Sequence, residues 1–123
     1  MPAAYEIRLD DKFGHLRHID IAAEAAAVTE PWFNQTLTTV NDAVVRLGVV
    51  EGEFHWHKHD REDEFFLVLE GELQIDVDQG ETIVLGPEQG VTIPKGVLHR
   101  PRAPTRTVMV MVEPATVVPT GEP

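Results

Sequence analysis

Three histidines stand two residues apart in the segment GEFHWHKHDREDE, at His55, His57 and His59. In an extended strand, residues two apart point to the same face and sit about 6.5–7 Å from one another. Two imidazoles placed this way can converge on a single ion. Carboxylates follow at once, at Glu62, Asp63 and Glu64, and any of them could arrive from the start of the next strand. Two histidines and a carboxylate bind a metal while leaving positions open for water, substrate or dioxygen. The same residues also fit a solvated polar strand face followed by an acidic loop, because a short His-rich tract is a compositional signal first. A second patch, GVTIPKGVLHRP, places Pro94, Gly96 and His99 in a turn-like setting some 40 residues downstream. Alone, His99 reads as a satisfied surface or core histidine; its interest lies in combination with the first patch.

Composition excludes much else. The 123 residues (13.7 kDa) fit one domain. The sequence holds neither cysteine nor serine, which removes disulfides, thiolate metal sites and Cys- or Ser-based nucleophiles. Ten Lys+Arg against 21 Asp+Glu give a formal charge of −11, so neither a nucleic acid nor an anionic membrane is expected as partner. No apolar run approaches the roughly 20 residues of a spanning helix. The opening MPAAYEIRLDDKFGH lacks the basic-then-apolar layout of a secretory signal, and a cytoplasmic location is expected.

The elements that must position these residues are mostly strands. An alanine-rich stretch over 20–28, with Asp20 in the N-cap place, predicts a short helix ended by Glu30-Pro31. Thereafter FNQTLTTV, AVVRLGVV, GEFHWHKH, EFFLVLEG, ELQIDVD, ETIVLG, GVTIP and TRTVMVMVEP recur between glycines, prolines and acidic turns. ELQIDVD alternates, with Leu73, Ile75 and Val77 on one face. DVDQGET predicts a tight hairpin in which Gly80 supplies the permissive backbone. FFLVL and TVMVMV are apolar on both faces, as strands covered on both sides are. The reading is an all-β sandwich or barrel over 33–115, with an arm over 1–32 and a frayed tail over 116–123.

The two patches together resemble the cupin family. Its first motif, H-x-H, three or four residues, glutamate, six residues, glycine, is matched by His57, His59, Glu64 and Gly71; its second, P-x-G-x-x-H, by Pro94, Gly96 and His99. The resemblance spans about 44–113 and implies a double-stranded β-helix, a small jelly-roll barrel with a short N-terminal helix. It implies that His57, His59, Glu64 and His99 converge on one divalent ion (iron, zinc, nickel or manganese). Departures lie at Glu51 and Glu88, which replace the motifs' opening glycines, and in the asparagine usual after the second motif, absent around Arg102 and Ala103. His55 is extra to the motif and is expected as an inward-facing polar residue. With His57 and His59 inward, Phe54 and Trp56 should face outward, and a homodimer covering them is expected. Phe66, Val108, Met109 and Met111 are candidates for an apolar pocket wall. Arg46, Lys58, Arg100, Arg102 and Arg106 flank the motif strands; one could orient an anionic substrate, but most are expected to be solvated. Activities among similar small cupins imply a Lewis-acid enzyme on a small organic molecule, of isomerase, epimerase, lyase or cyclase type. An iron-dependent dioxygenase, with Glu64 doubling as a base, and a non-catalytic ligand-binding module are the other readings.

Overall fold

A computed structural model describes residues 5–122. Alternating and doubly apolar runs become eight strands and one helix: β1 (Tyr5–Arg8), α1 (Ile21–Ala26), β2 (Trp32–Val40), β3 (Ala43–Glu53), β4 (Glu64–Glu70), β5 (Leu73–Val77), β6 (Ile83–Leu85), β7 (Gly90–Ile93) and β8 (His99–Pro114). They form one sheet in the order β1-β2-β3-β8-β4-β7, with β5 joining β8 to β6, folded as a double-stranded β-helix. The 16-residue β8 is the shared element. Its first turn of ladder pairs β5, while Val108–Val112 lie between β3 and β4. All pairings are antiparallel except β1 with β2. No helix among the described residues is long and apolar enough to cross a membrane.

Two apolar clusters follow from strand alternation. Inside the barrel lie Trp32, Val50, Phe54, Phe66, Val68, Leu73, Ile75, Met109 and Met111 with their neighbours. On the outer side Phe33, Leu37, Leu47, Val49 and Val108 pack under Ala25 of α1. Asp20 caps this helix as expected, its Oδ1 accepting from Ala23 N–H at 3.1 Å. Val108 therefore belongs to the outer cluster and not to the pocket wall. The outer face of β4 is only partly covered: Phe65 and Leu67 are half-buried and Leu69 is exposed.

Local backbone departs from expectation in three places. In the β5–β6 turn the left-handed residue is Gln79 (φ +57°), not Gly80, whose N–H instead bonds Val77 C=O at 3.0 Å. GEFHWHKH is not one continuous strand. Gly52, at φ +107°, coincides with a register shift between Val50 and Gly52, and the ladder stops at Glu53. Phe54 keeps the inward parity of Val50, buried against Trp32 and Tyr5 with ring centroids 5.4 and 4.4 Å away, and the alternation resets only beyond the end of the ladder, so that His57 and not His55 turns inward. Trp56 alone of the expected outward pair is exposed. The third departure is the 116–122 segment, which folds back along 57–60. Val117 is buried, and Lys58 and Glu122 exchange backbone hydrogen bonds of 2.9 and 2.8 Å.

Candidate metal centre

The first histidine of the centre is fixed by backbone. His57 and His99 exchange N–H···O=C bonds of 2.9 Å in both directions, an isolated antiparallel bridge. Gly96 N–H reaches His59 C=O at 2.8 Å, and Lys95 N–H reaches Asp63 Oδ1 at 2.9 Å. The PKG turn thus clamps the loop that carries His59, and Asp63, one of the three carboxylates open from the sequence, is spent on that clamp. Glu62 accepts from Thr116 Oγ1–H at 2.6 Å. Glu64, the first residue of β4, is left to turn inward.

One side-chain nitrogen or oxygen from each of His57, His59, Glu64 and His99 lies within 4.8 Å of every other, and all four residues are buried. Glu64 Oε1 stands 3.4 Å from both His59 Nε2 and His99 Nε2. Ligands about 2.1 Å from a common ion are about 3.0–3.4 Å apart when adjacent, a spacing the two Glu64–histidine pairs already have, while wider pairs of the set must draw together to close on one ion. The second ring nitrogens are already committed: His57 Nδ1 lies 3.0 Å from His55 C=O and His99 Nδ1 2.9 Å from Val97 C=O. Such a bond places the proton on Nδ1 and leaves Nε2 as a lone-pair donor. Meanwhile His59 Nε2, Glu64 Oε1 and His99 Nε2 are buried with no hydrogen-bond partner. Buried polar atoms are rarely left so, and three converging on one point fit a cation.

Electrostatics keep the donors in binding form. Burial lowers the His57 pKa to about 4, reinforced by the neighbouring His99 and His59, while the bond to His55 opposes it. Burial alone would raise Glu64, but the adjoining His59 and His99 imidazoles outweigh it and hold the carboxyl well below its usual range. The sequence reading missed Glu113. It is buried beside Glu64, and burial followed by the charge of Glu64 pushes it up to about 9 against the pull of Arg46. The signal was available: Glu113 shares strand parity with Met109 and Met111, which face inward.

Arg46 is a correction to the expectation of solvated cations. It is 3% exposed, with Nε 3.5 Å from Glu113 Oε2. Arg100 and Arg102 converge on Asp76 at 2.8 Å each, Arg106 donates to Ala25 C=O at 2.6 Å, and Lys58 pairs with Asp60 at 3.0 Å. His55 is also corrected: it is exposed, stacked on Phe54, with Nε2 2.7 Å from Thr120 C=O, and stays out of the cluster.

His57 and Glu64 line a narrow cavity that opens to solvent. Its wall is apolar, with Trp32, Val50, Phe54, Phe66, Met109 and Met111 prominent, and Pro119 of the folded-back segment contributes to it. Phe66, Met109 and Met111 are thus where the pocket wall was expected.

A family model described as a cupin domain matches residues 43–114. The Bacillus subtilis (strain 168) protein YdbB is 47% identical over 94 residues, covering 76% of this chain and 83% of that one. Among solved structures, a cupin-2 domain containing protein from Shewanella frigidimarina NCIMB 400 is 35% identical with a TM-score of 0.74, over 78% of this chain and 93% of that chain. Ectoine synthase from P. lautus shares the fold at 19% identity, TM-score 0.65, over 80% of this chain and 78% of its own.

Proposed function

The chain belongs to the cupin family, and we propose on that footing that it is a metal-dependent enzyme acting on a small organic molecule. The observation that carries the reading is the convergence of four buried donors, three of them without partners, two of which, His57 and Glu64, line an apolar cavity. His57, His59, Glu64 and His99 would hold one divalent ion, of the iron, zinc, nickel or manganese kind. Bound there, the ion supplies Lewis acidity toward a carbonyl or enolate oxygen. The protein's own part is positional. His57 and His99 are oriented through Nδ1, Glu64 stays anionic, and the Trp32, Phe54 and Phe66 rings keep water from the reacting end. Glu64 is also the group placed to exchange a proton with a ligand in the cavity. Ectoine synthase shows that this fold can carry catalysis, and the choice of an enzyme over a passive binding module rests on the site.

The test is to strip the protein, titrate it by calorimetry with zinc, nickel, manganese and, under anaerobic conditions, iron(II), then screen small carbonyl compounds for turnover with and without oxygen. One ion bound per chain and oxygen-independent turnover support the proposal. Turnover that consumes oxygen with iron(II) alone points to the dioxygenase reading, and ligand binding without any product to the binding module. A homodimer in the cytoplasm completes the proposal; the half-buried Phe65, Leu67, Val110 and Val112 and exposed Leu69 on the outer face of β4 and β8 give a second copy an apolar surface to cover.

A further inference from the structure

One level of the barrel can be followed across four strands by register. Ile7 pairs Asn34, Asn34 pairs Gly48, and Gly48 pairs Met109. Partners in a ladder share a face, and all four line the cavity. Asn34 is the polar member of this row. Its Oδ1 is buried without a hydrogen-bond partner, although an amide oxygen shut away from water normally finds one. Beside it Gly48 has no room for a side chain: a Cβ there would lie 2.8 Å from Met109 Cε and 3.2 Å from Met111 Cε. The two thioethers lie across the glycine as an adaptable apolar wall, and none of the described residues hydrogen-bonds the Asn34 Oδ1.

Charge narrows the ligand further. All ten lysines and arginines lie within the described residues, and none lines the cavity. The nearest in register, Arg46, stands one inward row away, buried, with Nε 3.5 Å from Glu113 Oε2. The cavity therefore offers an anion no cationic side chain, and apart from Glu64 of the metal centre it offers a hydrogen-bond donor one unpartnered side-chain acceptor.

We infer that Asn34 sets specificity, its Oδ1 receiving an O–H or N–H of a small, uncharged substrate whose apolar body lies against Met109, Met111 and Phe66. This deepens the enzymatic reading of the same cavity and rests on it, with the polar end opposite Asn34 turned to His57 and Glu64.

The test uses three one-ring probes on the zinc-loaded protein, after its zinc content has been measured. Phenol carries the donor, anisole lacks it, and benzenesulfonate adds a negative charge that is a poor metal ligand. Binding is followed by calorimetry and by the Asn34 side-chain amide resonance, identified by its loss in Asn34→Leu. Phenol should bind at least tenfold more tightly than either of the others and shift that resonance. Asn34→Leu and Asn34→Ala should each erase the phenol–anisole difference while leaving anisole affinity within about twofold. Equal binding of phenol and anisole overturns the inference, as does the absence of binding by all three. Tightest binding of benzenesulfonate overturns it in favour of Arg46 as an anion receiver. Failure to retain zinc would instead count against the metal centre, and the phenol–anisole comparison would still be read on that protein.

Discussion

At the scale of single residues, the centre separates donors from bystanders among groups that look alike in sequence. His55, His57 and His59 are spaced evenly, yet only the latter two turn inward, because the ladder ends at Glu53 and the chain resets its alternation there. Removing a true donor should therefore act differently from removing His55. His57→Ala and His99→Ala should each weaken zinc affinity by two or more orders of magnitude in a competition assay, whereas His55→Ala should change it by less than about fivefold, consistent with a role in holding Thr120. Equal losses in all three would contradict the ligand assignment. Histidine types, the order of the motifs and Gly71 were legible in the sequence; which of three adjacent carboxylates serves was not, until Asp63 and Glu62 were seen bonded elsewhere. Glu113 was hidden for the opposite reason. It belongs to a strand whose apolar character on both faces obscured which parity points inward.

At the scale of elements, β4, the 54–63 loop and the PKG turn are locked by backbone bonds, so the donor geometry is inherited from the sheet. The C-terminal segment is a less obvious contributor. Gly121, at φ +68°, packs on the His57 ring so tightly that a Cβ would stand 2.4 Å from His57 Cδ2 and 2.8 Å from Lys58 C=O. Two prolines and a glycine in VVPTGEP read as fraying because composition reports local propensity alone, whereas the contact with His57 is made 64 residues away in sequence. Gly121→Ala should push this strap off the ring, lowering zinc affinity about tenfold or more and raising protease sensitivity near the C-terminus while circular dichroism stays unchanged. Wild-type affinity in that variant would show that the strap does not hold His57. Glu88 makes a related point: it takes the left-handed φ of +68° where the family's second motif opens with glycine, so the turn survives the replacement.

For the whole molecule, the buried charges set a pH profile. With burial lowering His57 to about 4, the unfolded chain binds the extra proton first as pH falls, and metal-free stability declines between about 6.5 and 4. Glu113 works in the reverse sense: raised to about 9, it holds its proton in the folded state, and stability declines as pH rises from about 4.5 through 9. Metal-free protein should accordingly melt several degrees lower at pH 9 than at pH 6.5. Glu113→Gln, which mimics the protonated form, should flatten that alkaline slope, and bound zinc should flatten it too by offsetting the charge of Glu64. A metal-free protein with no alkaline slope would contradict the buried, protonated Glu113. Assembly is tested at the same scale: sedimentation at micromolar concentration should show a dimer, and Leu69→Glu should shift it toward monomer, whereas a wild-type monomer would exclude the proposed interface. The barrel itself was legible from run lengths, turn residues and two motifs. The closing contacts were not, since β1, the parallel partner of β2, and the folded-back strap are held by long-range pairing that no local pattern encodes.

The central claim is that four residues hold one ion, and the most direct measurement is elemental analysis of the purified protein beside His57→Ala after identical reconstitution and desalting. One equivalent of iron, zinc, nickel or manganese per chain, lost in the variant, is the predicted result. No metal in either protein, or an equal amount in both, would contradict it.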